Sequence, residues 1–203
     1  YPTGIPAGAV YMELEPQARE QVFPLPVVLI STISKTGIRN IAPYSNFSSI
    51  LRGQDHVILA SWMKRDTLDN IRETKEFVVN IPPASMVNEV MICSRHYPPE
   101  IDEFEKSGFD PHNSKEISVP GITGSLAWME CRLVEEIVRE HYSLIIGSVL
   151  RLEVDESFFR PDGMMDYAKA TPLSVMLGTE HMEFTYPVSC GRSARYEEMF
   201  LKG

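Results

Sequence analysis

Short apolar runs separated by polar turns are the main pattern of hydrophobic and polar positions along this chain. Several runs are rich in β-branched residues, which favour strands. The pattern predicts strands at 27–33, from 38 onward, and at 56–62, 77–81, 126–138 and 143–154, with helices at 66–76, 84–94 and 99–108. Turns, and not regular helical crossovers, join most of the strands. The sequence therefore predicts an antiparallel barrel or sandwich and not a doubly wound parallel sheet.

The stretch NIAPYSNFSSI, residues 40–50, departs from this pattern. Pro43 cannot donate to a strand ladder, so the second strand is expected to become irregular there. A flat heteroaromatic ligand with polar edges needs free backbone groups, small side chains and an apolar wall. The stretch offers all three, through Pro43, the small Ser45 and Ser48, and the aromatic Tyr44 and Phe47. The alternative is a polar transition at a barrel rim with Phe47 in the core.

A second candidate site is SWMKRDTLDNI, residues 61–71. Lys64 and Arg65 precede a predicted helix, and a helix N-terminus offers unpaired N–H groups and a positive dipole end. Together with a hydroxyl from Ser61 or Thr67, these groups would bind a phosphate. The alternative is that Asp66 only caps the helix and that the two cations lie on a solvated surface.

A third candidate is His141, which lies beside Glu140 between the two longest predicted strands. A histidine at the mouth of a barrel can bind a ligand or position a second substrate, but a lone histidine is more often a surface or structural residue. The histidines and cysteines of the sequence have no metal-ligand spacing. The sequence contains no GxSxG, HExxH, GxGxxG or GxxxxGK[ST] motif.

Composition and charge narrow the class of molecule. The 203 residues suffice for one large domain or one domain with an extension. The net charge of −9 argues against binding of nucleic acid or of an anionic membrane surface, and no apolar run approaches the roughly 18 residues of a membrane span. The three cysteines are few and far apart, which predicts a reducing, cytoplasmic environment.

Two further expectations concern residues outside these candidate sites. Cys93 and Cys131 lie in apolar patterns and are expected to be buried and inert. The acidic residues of 99–108 are expected on a solvated helix.

Five stretches, taken in chain order, resemble the flavin reductase-like family, the FMN-binding split-barrel group that includes flavoredoxin. They are PVVLISTISKTGIRNIAPYSNFSSI (26–50), KRDTLDNIRETKEFVVNIP (64–82), PPEIDEFEKSGFD (98–110), VPGITGSLAWMECRLVEEI (119–137) and EHYSLIIGSVLRLEV (140–154). The resemblance covers roughly residues 24–178.

This resemblance implies an all-β fold with inserted helices, a six-stranded antiparallel Greek-key split β-barrel, which is usually a homodimer. It divides the chain into an N-terminal arm (1–23), the flavin-binding domain (24–178) and a C-terminal extension (179–203). It also implies bound FMN, or FAD in some relatives. The implied cofactor-binding residues are Asn40, Ala42, Pro43, Tyr44, Ser45, Asn46, Phe47, Ser48, Ser61, Lys64, Arg65, Asp66 and Thr67.

The implied activity is that of an NAD(P)H:flavin oxidoreductase in which His141 positions the nicotinamide as the catalytic residue. The family usually has Asp-His at this point, and Glu140-His141 is a mild departure. A redox protein or a monooxygenase would then be the partner, without nucleic acid or membrane. Two alternatives stay open at this stage: a flavoredoxin-type electron carrier that does not oxidise nucleotides, and a non-catalytic binder of haem or another flat ligand.

Overall fold

The computed structural model describes residues 10–196 and 198. The strands are β1 (Leu25–Pro26), β2 (Val28–Ile33), β3 (Arg39–Tyr44), β4 (Phe47–Ser49), β5 (His56–Trp62), β6 (Glu76–Ile81), β7 (Pro111–His112), β8 (Gly121–Ile122), β9 (Ala127–Val138), β10 (Tyr142–Val154), β11 (Ser174–Leu177) and β12 (Met182–Thr185). The α-helices are α1 (Asp66–Thr74), α2 (Val87–Cys93) and α3 (Glu103–Ser107), and short 3-10 helices cover Pro16–Gln21, Ala84–Met86 and Glu156–Phe158.

The central sheet is antiparallel and has seven strands in the order β3-β2-β6-β9-β10-β5-β4. The expected six-strand count is one too low because the strand predicted from residue 38 becomes two, β3 and β4. These two strands lie at opposite edges of the sheet although only residues 45 and 46 separate them. Three residue steps span at most about 11 Å. The sheet must therefore curl until its edges approach, and this gives the expected split barrel.

The chain breaks at Ser45 and not at Pro43 as expected. β3 continues through Pro43 to Tyr44, pairing Pro43 with Leu29 of β2. An edge strand tolerates proline because one of its sides has no ladder to complete. After the break, the backbone carbonyl of Asn46 accepts a hydrogen bond of 2.9 Å from Ala60 N, which attaches the connection to β5.

Apolar side chains fill both faces of β2. Inside the barrel lies the inner core, formed by Val28, Ile30, Val57, Leu59, Leu68, Ile71, Phe77, Val79, Cys131 and Ile145. On the other face lies the outer core, formed by Val27, Leu29, Ile41, Val90, Cys93, Phe104, Phe109, Ile122, Leu173 and Val175. A strand buried on both faces is a continuous apolar run in sequence, which is why VVLISTI predicted β2 so clearly.

Gly147 on β10 is a position where the barrel interior needs a glycine. A Cβ atom at this position would lie 2.5 Å from Cζ of Phe77, whose side chain is fully buried in the inner core. The long β9–β10 hairpin also changes register beside Gly147. Such irregularities bend strands, and here they accompany the curl of the sheet.

The helix predicted at 99–108 is shorter and less solvated than expected. Only Glu103–Ser107 is helical, and Asp102 caps it by accepting hydrogen bonds from Phe104 N (2.9 Å) and Glu105 N (3.3 Å). Glu103 and Phe104 are buried against β3 and α2. The predicted helix at 66–76 ends at Thr74, where Lys75 takes a left-handed φ of 65° before β6 begins.

The segment after the barrel packs against the segment before it. β11 pairs with β1 and β12, and Leu173 and Val175 lie in the outer core. The expected domain boundary at 178 falls in the turn between β11 and β12. The ends of the expected arm and extension, residues 1–9, 197 and 199–203, lie outside the described residues. Among the described residues, none of the helices has both the length and the apolar content needed to cross a membrane.

Candidate functional site

A cleft of about 450 Å³ opens where β3 crosses towards β4. Its walls come from β3, the end of β5, the start of α1 and the segment that follows α2. Its lining residues are Asn40, Ala42, Pro43, Tyr44, Ser45, Asn46, Ala60, Trp62, Lys64, Arg65, Asp66, Thr67, Cys93, Ser94, Arg95, His96, Tyr97 and Glu103. The two sequence stretches that were separate candidate sites therefore form one site.

Most of the expected cofactor-binding residues line this cleft, namely Asn40, Ala42, Pro43, Tyr44, Ser45, Asn46, Lys64, Arg65, Asp66 and Thr67. Three of the expected residues do not. Phe47 packs against the inner core, and Ser48 is exposed and donates to Ser49 O. Ser61 is buried behind the wall and bonds the Tyr44 hydroxyl at 3.0 Å. A strand alternates its two faces, so one continuous sequence stretch cannot point every side chain at one ligand.

The N-terminus of α1 faces the cleft with positive charge around it. Arg65, and not Asp66, is the N-cap residue, and its side chain makes no capping hydrogen bond. Leu68 N already donates to Arg65 O at 3.0 Å, but within the described residues the N–H groups of Asp66 and Thr67 have no hydrogen-bond partner and stay available. Within residues 10–196 and 198, neither Lys64 nor Arg95 has a carboxylate oxygen within 4.0 Å. Arg65 Nη1 lies 3.2 Å from His96 Nδ1.

A chain of polar side chains forms the floor of the cleft. The Asn40 amide bonds Thr67 Oγ1 at 3.0 Å and, in the orientation that satisfies both of its ends, donates to Glu103 Oε2 at 3.3 Å. Burial raises the pKa of Tyr44. The hydrogen bonds with Ser61 and Thr67 lower this pKa by less, so the net shift is upward. Since the phenol stays neutral, its hydroxyl can donate as well as accept. This polar floor joins β3, β5, α1 and α3.

Glu103 is a buried carboxyl group of the cleft that was not among the residues predicted from the sequence. It is 7% exposed, and Ile41 N donates to its Oε2 at 2.6 Å. The pKa of Glu103 is raised to about 7, mainly by burial and to a smaller extent by the negative charges of Asp66 and Asp102. The hydrogen bond from Ile41 N acts in the opposite direction and lowers the pKa. In the run PEIDEFEKSG no sequence signal separates this residue from the glutamates on either side of it.

No local sequence signal predicted the wall formed by Trp62 and by the segment after α2. Trp62 ends β5 and is 64% exposed although it is the largest side chain of its strand. Cys93 reaches the cleft from the end of α2, and burial raises its pKa to about 12. The thiol is therefore protonated and inert at neutral pH, as expected.

His141 lies at the rim of the cleft and not among the lining residues. It occupies the turn between β9 and β10, with its side chain 73% exposed and Nε2 3.6 Å from Glu140 Oε1. Met63 N donates to His141 O at 3.3 Å. Trp62 and Lys64, on either side of Met63, both line the cleft. The fold thus brings His141 beside the entrance, with its ring in solvent.

The cleft wall continues into an apolar surface on the outside of the barrel. On β5, Ile58, Ala60 and Trp62 pair with Ile146, Leu144 and Tyr142 of β10. None of these six side chains is among those that fill the inner core. Trp62 and Tyr142 are 64% and 42% exposed. We call these six residues the outer apolar face.

Comparison with known proteins places the chain among flavin-related proteins. The sequence model of the family described as "Flavin reductase like domain" matches residues 19–172. An uncharacterized protein of Methanothermobacter thermautotrophicus is 42% identical over 197 residues, which cover 95% of this chain and 93% of that protein.

Two solved structures share the fold. Nitrilotriacetate monooxygenase component B from Bacillus cereus superposes with a TM-score of 0.80 at 25% identity, covering 91% of this chain and 100% of that one. Flavoredoxin of Desulfovibrio vulgaris (Miyazaki F) also gives a TM-score of 0.80, at 20% identity, covering 92% of this chain and 100% of that one.

The raised pKa of Glu103 predicts that stability depends on pH. An unfolded glutamate has a pKa of about 4.3, whereas the folded value is about 7. Between these values the folded state binds more protons, so the free energy of unfolding falls as pH rises from about 4.5 to 7. Glu103→Gln keeps an acceptor for Ile41 N and removes this loss. We therefore expect the difference in free energy of unfolding between Glu103→Gln and the wild type to grow in favour of the variant, by on the order of 2 kcal/mol, from pH 5 to pH 8.

The measurement is urea unfolding of the cofactor-free protein at pH 5 and pH 8. Glu105→Gln is the matched control because Glu105 is an exposed residue of the same helix. Equal pH dependence of Glu103→Gln and the wild type would contradict the assignment of this titration to Glu103.

Proposed function

The chain belongs to the flavin reductase-like family, and on this premise we propose that it is an FMN-binding NAD(P)H:flavin oxidoreductase. Membership of the family makes the protein a flavin-related oxidoreductase. The finer proposal concerns the cofactor, the electron donor and the residues that hold them. One observation carries it: a single cleft joins cations that have no carboxylate partner among the described residues, and a helix N-terminus, to irregular backbone at another part of its wall.

The residues present fit a flavin mononucleotide. A dianionic phosphate would be held by the first N–H groups of α1, by Thr67 and by Lys64 and Arg65, in a protein of net charge −9 that otherwise repels anions. The backbone of residues 42–46 would meet the polar edge of the ring system, with Asn40 and Tyr44 beneath it. A cleft of about 450 Å³ lies within the usual size range of cofactor sites.

The bound flavin would supply hydride chemistry, and the protein would supply binding, orientation and electrostatics. The polar floor fixes the Asn40 amide between Thr67 and Glu103, so its donors need not reorganise when a ligand enters. Phe47 packs on the inner core behind this wall, and Ser61 bonds the Tyr44 hydroxyl from behind it. FAD is the alternative cofactor, and its adenosine part would have to extend out of the cleft.

His141 is the residue that we propose for positioning the nicotinamide ring of NADH or NADPH. Its exposed side chain stands beside the entrance, where a second substrate has to pass. The same exposure favours the alternative function, a flavoredoxin-type electron carrier, because within one chain His141 does not reach the cleft. Flavoredoxin itself shares the fold.

We also propose a homodimer in which a second copy packs on the outer apolar face. Ala60 and Trp62 belong both to this face and to the cleft, so a second copy would close the cleft on that side. The domain would span residues 24–178, with 1–23 as an arm and 179–203 as an extension. Reduced flavin would pass to a redox protein or a monooxygenase, as the similarity to a monooxygenase component B suggests. A cytoplasmic location would suit the free thiols.

The test of the proposed function is an anaerobic absorbance titration with FMN, followed by NADH and then NADPH. We expect flavin to bind and its visible band to bleach with one of the nucleotides, which identifies the donor. Bleaching by dithionite alone would favour the electron carrier. A protein that binds no flavin would overturn both functions.

The phosphate-binding residues give a sharper prediction. Lys64→Ala with Arg65→Ala should weaken FMN binding by about 1.5–3 kcal/mol for each charged hydrogen bond lost, which is roughly 10- to 150-fold each. Riboflavin, which has no phosphate, should lose little affinity. Flavin fluorescence measures both dissociation constants. Lys35→Ala is the control because Lys35 pairs with Glu73 away from the cleft. An equal loss for riboflavin and FMN would place the phosphate elsewhere.

The proposed dimer is tested with Leu144→Glu, in the middle of the outer apolar face but not in the cleft lining. A carboxylate buried between two copies costs on the order of several kcal/mol, which weakens dimerisation by at least about tenfold. We therefore expect monomers in sedimentation and weaker FMN binding, because the cleft would lose the wall that a second copy supplies. Val22→Glu introduces the same charge at a residue that is 66% exposed elsewhere. Unchanged mass and affinity in Leu144→Glu would exclude this face as the interface.

A further inference from the structure

Glu103 is a buried carboxyl group in the cleft wall that the proposed reaction does not use. Resting on the proposed function, we propose that Glu103 couples the reduction of a flavin bound in this cleft to the uptake of one proton from solvent. Glu103 acts on the flavin through the electric field of the cleft, as a positioning residue and not as a hydride or proton donor to it.

The hydrogen bonds of Glu103 leave one of its oxygens open. Oε2 accepts from Ile41 N at 2.6 Å and from the Asn40 amide at 3.3 Å. Within the part of the chain that the structure describes, no donor bonds Oε1, and Oε1 is not among the fully enclosed polar atoms that lack a partner. Because the residue lines the cleft, Oε1 is the atom that can exchange a proton with solvent there.

Among the residues that the structure describes, no cation lies within 4.0 Å of a Glu103 carboxylate oxygen. Arg39, on β3, is engaged by Asp102 at 2.6 Å and lies over the ring of Phe104. Arg65 at the start of α1 contacts His96. Asp66 on α1, Tyr44 on β3, Cys93 on α2 and Asp102 beside it also interact electrostatically with Glu103. Lys64, Arg95 and His96 line the same cleft.

This setting makes the protonation of Glu103 sensitive to a change of charge in the cleft. Burial and the carboxylates of Asp66 and Asp102 hold its pKa at about 7. At neutral pH the carboxyl is therefore divided between its two forms. Negative charge arriving nearby favours the protonated form, as it does for any carboxyl group close to a like charge.

The charge balance of the reaction supplies that change. A hydride carries two electrons and one proton, so its transfer oxidises the nucleotide and adds one negative charge to the contents of the cleft. An ionised Glu103 then takes up a proton from solvent, forming an O–H bond and removing one negative charge. The sum is one hydride and one proton delivered to the cleft, with no net change of charge there.

The test is the pH dependence of the flavin midpoint potential, measured with dithionite from pH 5.5 to 8.5. In the wild type we expect the slope above pH 7 to be steeper than in Glu103→Gln by up to one proton per two electrons, about 30 mV per pH unit. Glu105→Gln, on the exposed side of α3, should keep the wild-type slope. Equal slopes in the wild type and Glu103→Gln would overturn the proposal.

A second measurement on the wild type keeps the proposal testable if Glu103→Gln does not fold. The infrared difference spectrum on reduction should gain the C=O stretching band of a protonated carboxyl group, and a spectrum without this band would overturn the proposal. Neither measurement uses a nucleotide. A protein that binds FMN but ignores NAD(P)H therefore fails the reductase proposal and still tests Glu103, whereas a protein that binds no flavin overturns both.

Discussion

The two residues between Tyr44 and Phe47 set the geometry on which the rest of the molecule depends. β3 and β4 lie at opposite edges of the seven-stranded sheet, and Ser45 and Asn46 alone connect them. Because so short a connection forces the edges together, the sheet has to curl into a barrel with a seam. At this seam the ladder is interrupted, so backbone groups and small side chains are available to a ligand. The cleft is the direct result of how the barrel closes.

The polar floor makes this seam a defined site. Asn40 joins Thr67 at the start of α1 to Glu103 on α3, while Tyr44 joins Ser61 on β5. Buried polar groups are costly unless they are bonded, so each bond also fixes the element that supplies its partner. Through these bonds the uncapped N-terminus of α1 and its cations are held at the same cleft as the irregular backbone of residues 45 and 46. The proposed phosphate site of this acidic protein rests on that arrangement.

The proposed proton uptake by Glu103 depends on its place in the same floor. A carboxyl group in an apolar core would remain protonated, and one in solvent would remain ionised. Glu103 is between these limits because it is buried but lines a cleft, and because Arg39 is already engaged by Asp102. Its protonation can therefore respond to the charge of what the cleft holds. In a flavin-related oxidoreductase, the proposed result is that reduction of the bound flavin is accompanied by protonation of this group.

The amino-acid sequence was enough to predict six of the strands in the central sheet, the antiparallel class, the family and the positions of both main stretches of the cleft. Apolar runs such as VVLISTI, and cations just before a helix, are local signals that do not depend on what packs against them. Tertiary structure alone decided that Pro43 continues its strand while Ser45 ends it, because a strand at the edge of a sheet tolerates proline. It also decided that Phe47 packs on the core, that His141 stands at the rim, and that Glu103 is buried while Glu105 is exposed. Burial and proximity are set by elements distant in sequence, and no local pattern of residues records them.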